Sequence, residues 1–150
     1  EEDFGGVQGS VSGYLGLGST ERVVLAARVG GRQTFGKYPW YAAAVVGGSD
    51  SNRGFREQRF AGDRSLYGNL EVRLRVVDMM RVIPGRLWLV ALGDVGRVWL
   101  EGEDSDEWHP SYGAGIAFEV AGSPLTFWTG AAKGEGSDGV RFYFLSGFGF

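Results

Sequence analysis

Cysteine is absent from the 150 residues, which removes a disulfide scaffold, a cysteine nucleophile and thiolate zinc sites from consideration. The compartment stays open, because an exported protein need not use disulfides. A basic surplus is missing too: the formal charge is −3, the wrong sign for a nucleic-acid partner. No apolar run is long enough for a spanning helix. The longest uncharged stretch, Phe4 to Thr20, holds six glycines and three serines, against the roughly 20 apolar residues such a helix needs. The first residues are acidic, with no basic start and no apolar core behind it, so the expectation is a chain either cytoplasmic or already processed. A β-barrel is untouched by these absences, since its strands give a weak signal per segment.

Glycine is abundant instead, at 27 of 150 residues where about 7% is usual. It follows no three-residue period, so collagen is excluded. Aromatic residues at 14% and hydrophobic residues at 43% exclude low-complexity disorder. The length suits one domain, 1–150.

Period-2 alternation dominates, and almost no helical pattern occurs. Leu70, Val72, Leu74 and Val76 alternate with Asn69, Glu71, Arg73 and Arg75. Tyr112, Ala114, Ile116, Phe118 and Val120 alternate with Ser111, Gly113, Gly115, Ala117 and Glu119. The end of the chain sets Val140, Phe142, Phe144, Phe148 and Phe150 on one face, interrupted by Ser146. Eight strands are expected, near 6–17, 21–30, 39–48, 66–76, 83–99, 110–121, 124–133 and 139–150. Residues 77–82 and 122–123 read as turns, and 49–65, 100–109 and 134–138 as longer polar loops. Short turns on one side and long loops on the other suit an outer-membrane barrel. The connection at 18–20 is the exception, short where a long loop is due.

The polar faces mix arginine and glutamate with glycine and serine, a poor water-facing surface but a good filling for a narrow barrel. The apolar faces carry aromatics near their ends, among them Tyr38, Trp40, Trp99, Tyr112 and Phe127, as lipid-interface girdles do. These patterns predict an all-β fold: an eight-stranded antiparallel transmembrane β-barrel in the bacterial outer membrane, with lipid as its surroundings. Its first and last strands would pair within one chain, with Tyr14, Trp88, Trp128 and Tyr143 pointing inward beside small residues. A homodimer closing a sixteen-stranded ring is the alternative. In the single-chain barrel the loop around Arg53 would lie mostly outside the lumen.

The most specific stretch is Val46-Gly47-Gly48-Ser49-Asp50-Ser51-Asn52-Arg53-Gly54-Phe55-Arg56, followed by Leu70-Glu71-Val72-Arg73-Leu74 and Asp94-Val95-Gly96. In order and spacing it resembles the bacterial surface-antigen family, the BamA- and TamA-type outer-membrane assembly factors, across roughly residues 39–150. That resemblance covers the C-terminal half of the family barrel. It implies an Arg-Gly-Phe loop tip at Arg53, Gly54 and Phe55, and luminal partners for Arg53 at Glu71 and Asp94. Arg73 and Gly96 complete the Glu-x-Arg and Asp-x-Gly motifs. A terminal aromatic strand, with Phe148 and Phe150, is implied as the signal read by the outer-membrane assembly machinery. The departures are Asn52, where the family often has valine or leucine, and Leu92, where it more often has phenylalanine or glycine. The 150 residues also hold no counterpart of the assembly factors' periplasmic repeats or of the first half of their barrel. A luminal network of Glu71, Arg73, Arg75, Asp94, Glu119 and Arg141 is expected, because buried charges need partners. The plain alternative for Arg53 is a solvated loop arginine.

Other candidates carry less. His109, the single histidine, precedes Pro110 and Ser111 in a loop with Asp104 and Asp106, but no nucleophile-elbow motif accompanies it. The acidic run from Glu101 to Glu107 matches no calcium-loop spacing. The glycine-rich 13–18 opens no helix, so a phosphate cradle is not expected. The expectation is therefore a non-catalytic membrane barrel, with no cofactor, no metal and no nucleic acid. The alternatives are a part of the insertion or translocation machinery, a lipid-modifying hydrolase using His109, and a soluble barrel for a small apolar ligand.

Overall fold

The computed structural model describes residues 3–81, 83–104 and 106–147. Among these residues nine strands appear in chain order. They are β1 (Phe4–Leu17), β2 (Val23–Gly36), β3 (Ala44–Val46), β4 (Phe60–Gly62) and β5 (Arg64–Met79), followed by β6 (Gly85–Trp99), β7 (His109–Val120), β8 (Thr126–Gly134) and β9 (Arg141–Gly147). Seven form one sheet in the order β1-β2-β5-β6-β7-β8-β9, every neighbouring pair antiparallel. The other two, β3 and β4, form a separate ribbon inside the long segment that joins β2 to β5.

Two expectations are corrected here. The stretch 39–48 is not a wall strand. It makes a 3-10 turn at Trp40–Ala42 and then the three-residue β3. Its small residues pack against the sheet without a two-residue period: Ala42, Ala43, Ala44 and Val46 are all buried, while Trp40 and Tyr41 are exposed. Gly47 and Gly48, at φ 125° and 93°, then turn the chain away from any extended course. The second correction concerns closure. Among the described residues β1 and β9 do not pair, so the sheet is open and not a closed eight-stranded barrel.

Parity follows from the strand count. With seven wall strands, β1 and β9 run in the same direction. Closing on itself, or on a second copy related by an axis along the strands, would make that junction parallel. An antiparallel junction at both edges takes an odd number of further strands. The same count removes the anomaly at 18–20: this connection lies at the turn end, beside 80–84 and 121–125. Residues 37–63, 100–108 and 135–140 make the long-loop end.

The two faces of the sheet differ in kind. One is covered by the 37–63 segment and is called the inner face. Its apolar part is a small cluster of Val90, Leu92, Ala117, Trp128 and Ala132, with Trp88 and Tyr143 packed against it. The outer face carries Val11, Leu70, Val72, Leu74, Tyr112, Ile116, Phe142 and Phe144, all exposed, Phe142 at 83% and Phe144 at 73%. Glu71, between Leu70 and Val72, is 2% exposed. Strand alternation turns one to the covered side and the others to the open side. A bulge between Arg75 and Val77 makes Val76 the extra residue near the turn end.

Candidate functional site

The site begins with how the chain folds at 47–55. Gly48 and Asn52 exchange backbone hydrogen bonds, Gly48 N–H to the Asn52 carbonyl at 3.0 Å and Asn52 N–H to the Gly48 carbonyl at 3.1 Å. The Gly47 N–H donates to Ser51 Oγ at 2.9 Å. This knot is closed on itself, and it presents Arg53 to the sheet with only 4% of that residue exposed.

Arg53 meets Asp94 of β6 in a two-pronged contact, Nε to Oδ2 at 2.9 Å and NH2 to Oδ1 at 2.6 Å. The Arg53 backbone N–H donates to the same Oδ2 at 2.9 Å. The guanidinium also pairs with Glu71 of β5. Glu71 takes Arg73 on its other oxygen, at 2.8 Å from Nε and 2.7 Å from NH2. Two arginines and two carboxylates thus form one neutral cluster, and fork-to-carboxylate geometry is what guanidinium favours. Burial works against the Arg53 charge, but the hydrogen bonds and charges of Asp94 and Glu71 outweigh it and hold the group protonated more firmly than usual. Trp128 adds its ring, 5.8 Å from the guanidinium carbon.

Neutral groups complete the dock. Asn69 donates to Asp94 Oδ1 and to the Ser51 carbonyl, both at 2.8 Å, and accepts from Arg28 Nε at 2.9 Å. Arg28 reaches on to the Asp50 carbonyl at 2.7 Å. The Tyr143 hydroxyl donates to the Arg53 carbonyl. Asn52, fully buried, donates to the His109 carbonyl at 2.7 Å and accepts from Ser111 Oγ at 2.6 Å. Ser111 Oγ in turn accepts from the Gly54 N–H at 3.2 Å, and Gly134 N–H donates to the Gly54 carbonyl at 3.0 Å.

Close approach explains the glycines. A Cβ on Gly54 would overlap Ser111 and the backbone at Lys133–Gly134, and one on Gly96 would overlap Val46 of the segment above. Phe55 is buried over Gly134, where a side chain would strike its ring. It meets Phe60 edge-on at 5.0 Å and His109 at 5.9 Å, while Phe60 stacks on His109 at 3.6 Å.

The structure brings Arg53, Gly54, Phe55, Glu71, Arg73, Asp94 and Gly96 into one site on the inner face. The segment carrying Arg53 is packed against the sheet, which corrects its expected position outside. That expectation took an eight-stranded interior to be filled by its own side chains. The wall here is an open sheet whose inner face is lined at this end by Gly96, Ser111, Gly113 and Gly134, leaving room for the loop. Glu119 and Arg75 stand apart: Glu119 faces Arg86 at 3.4 Å and Arg75 faces Asp78 at 4.0 Å, both at the turn end. Phe148 and Phe150 lie outside the described residues. The Ser111 hydroxyl and the His109 ring are each engaged elsewhere, and no hydrogen bond joins them among the described residues. No cluster of three or more metal-ligating side chains occurs there either. The glycine-rich 13–18 runs through the end of β1 into the turn. Asn69, Arg28 and the docking role of Asn52 were missed. Asn69 could have been found, since it shares a strand face with Glu71.

The sequence model of the Omp85 superfamily domain matches residues 1–150. No curated protein and no solved structure matches the chain.

Proposed function

The chain belongs to the Omp85 superfamily, whose domains are associated with the bacterial outer membrane, and from that premise we propose that its sheet is a wall of a transmembrane barrel. The outer face meets lipid, the inner face lines the lumen, and the Arg53 loop enters from the long-loop side as a fixed internal strut. The role is structural and non-catalytic. One observation carries this reading: Arg53, Glu71 and Asp94 are buried under the loop on one face while the apolar row of the other face lies open. A water-soluble barrel has the opposite arrangement. Phe142, Phe144 and Val11 in water would form an apolar surface of the kind that marks an interface. The hydrolase alternative loses support from the geometry, because Ser111 bonds to Asn52 and Gly54 and His109 stacks on Phe60.

Heat-modifiable migration from outer-membrane extracts tests the reading, with faster movement expected before boiling. Val72→Arg, in the middle of the outer row, is expected to cost about 2–4 kcal/mol in a bilayer, while Val72→Leu stays near neutral. Aqueous fractionation without any gel shift, or a Val72→Arg variant as stable as the parent, overturns it.

A further inference from the structure

The outer face carries a charge pattern that the barrel reading does not use, and the inference rests on that reading. Register and alternation fix which wall positions face outward. Among the described residues, three of these are charged: Arg64, Arg97 and Lys133. All are cations. Arg64 opens β5, and Arg97 and Lys133 lie within the last three residues of β6 and β8, so all three sit at the long-loop end. The wall carboxylates Glu71, Asp78, Asp94 and Glu119 lie on the opposite face.

Beside Arg64 the outer surface holds a shallow groove of about 440 Å³, wide open on its outer side. Its floor is a registered pair of glycines, Gly9 of β1 against Gly31 of β2, with Leu66 next to Gly31. Its upper rim is the row Gln33, Arg64 and Trp99. Gly31 is needed by the fold, because a Cβ there would lie 2.5 Å from the Ser65 carbonyl oxygen. Gly9 is not: a Cβ would meet nothing within 4 Å. Glycine inside a strand weakens it and often marks a site that something else approaches closely. Here the space opens outward.

The rim is built for an anion above an apolar chain. Arg64 is exposed and makes no ion pair among the described residues. Arg97 is anchored beside it, its guanidinium 4.7 Å from the Trp99 ring and 5.7 Å from that of Trp108, with Asp106 at 2.5 Å. That contact braces Trp99 at the height where indoles favour a membrane interface. We infer that the groove holds one lipid with an anionic phosphate headgroup, in the leaflet on the long-loop side. Arg64 and Gln33 bind the phosphate, and an acyl chain lies over Gly9 and Gly31.

Native mass spectrometry of the full chain tests this, with dioleoyl phosphatidylglycerol and dioleoyl phosphatidylcholine offered together in detergent. One phosphatidylglycerol is expected to be retained in preference to phosphatidylcholine. Arg64→Gln should lower that preference about fivefold, the usual weight of one cation at a charged lipid surface, and Arg64→Lys should restore most of it. Gly9→Leu, whose Cβ meets nothing within 4 Å and whose side chain would occupy the trough, should lower retention of both lipids. Excess glycerol phosphate should not displace the bound molecule. Equal retention of the two lipids, indifference to Arg64→Gln, or displacement by glycerol phosphate each overturns the lipid site. If the parent chain shows heat-modifiable migration but no headgroup preference, the site alone fails. If it neither shifts on heating nor retains lipid, the lipid-facing reading fails with it.

Discussion

Two arginine–carboxylate contacts stand on the inner face of one sheet and differ in nearly every physical respect. Arg53–Asp94, at the long-loop end, is two-pronged, 2.6 Å at its shorter contact, and its side chains are 5% and 0% exposed. Arg86–Glu119, at the turn end, has one contact at 3.4 Å between side chains 51% and 36% exposed. The residue types are the same, and what separates them is cover. The 37–63 segment lies over the first pair and excludes water, while the second stays wet. Chemistry alone therefore says little about the weight of an ion pair. Desolvation sets it, and here a loop from elsewhere in the chain controls desolvation.

The sharpest test removes one partner at each end. Asp94→Ala leaves the Arg53 charge buried and is expected to cost about 3–5 kcal/mol. Glu119→Gln is expected to cost less than about 1 kcal/mol, as exposed pairs do. Urea unfolding followed by tryptophan fluorescence measures both. Equal shifts in the two midpoints would erase the distinction between the ends.

Next comes the neutral part of the dock, which the turn end lacks. Asn52→Val restores the family's usual residue type but leaves Ser111 and the His109 carbonyl without their partner, at about 1–3 kcal/mol. Ser111→Ala is expected to cost a similar amount. The double variant should lose less than the sum, because each substitution removes the group that the other orphans. Strict additivity in the unfolding midpoints would mean that the two residues do not act as a pair. The departure from the family pattern at Asn52 is then explained by its partner, a serine on β7 that a one-residue comparison does not reach.

Much of the wall was legible because period-2 alternation is local. Leu70 to Val76 against Asn69 to Arg75 places a strand and its two faces without knowing its neighbours. The contact of Arg53 with Asp94 and Glu71 was legible through family resemblance, not through spacing, since 41 and 18 residues separate the partners. The error at 39–48 has a physical origin. A short apolar run such as Ala42-Ala43-Ala44-Val45-Val46 suits a buried strap as well as a wall strand, and its composition alone cannot separate the two. That one element shifted the parity of the sheet, and with it the expected closure. The misplaced short turn at 18–20 was the visible symptom. Burial of Asn69 under Ser51 depends on the loop being present, which strand patterning does not encode.

The smallest effect lies at the root of the loop, where the long-loop end keeps a contact that is titratable from both sides. The Tyr38 hydroxyl donates to Asp63, and Asp63 also accepts the Glu101 N–H at 2.6 Å, tying the 37–63 segment to the loop after β6. The hydrogen bond from Tyr38 and then that from Glu101 hold the Asp63 carboxyl below its ordinary range. The same bond to Asp63, with burial and the nearby carboxylates, pushes the Tyr38 hydroxyl up to about 12. The signs are opposite. A lowered carboxyl contributes stability above about pH 4 that disappears as pH falls through its folded value. A raised phenol contributes stability below about pH 10 that disappears as pH climbs towards 12. The tie is therefore fully present across neutral pH and lost at both extremes. Protease protection of the 37–63 segment, followed against pH, should show a plateau with an acid and an alkaline limb. Tyr38→Phe should lower that plateau and flatten the alkaline limb, while Arg86–Glu119 variants leave the profile unchanged. An alkaline limb that survives in Tyr38→Phe would assign the loosening to another group and remove Tyr38 from the anchoring of the loop.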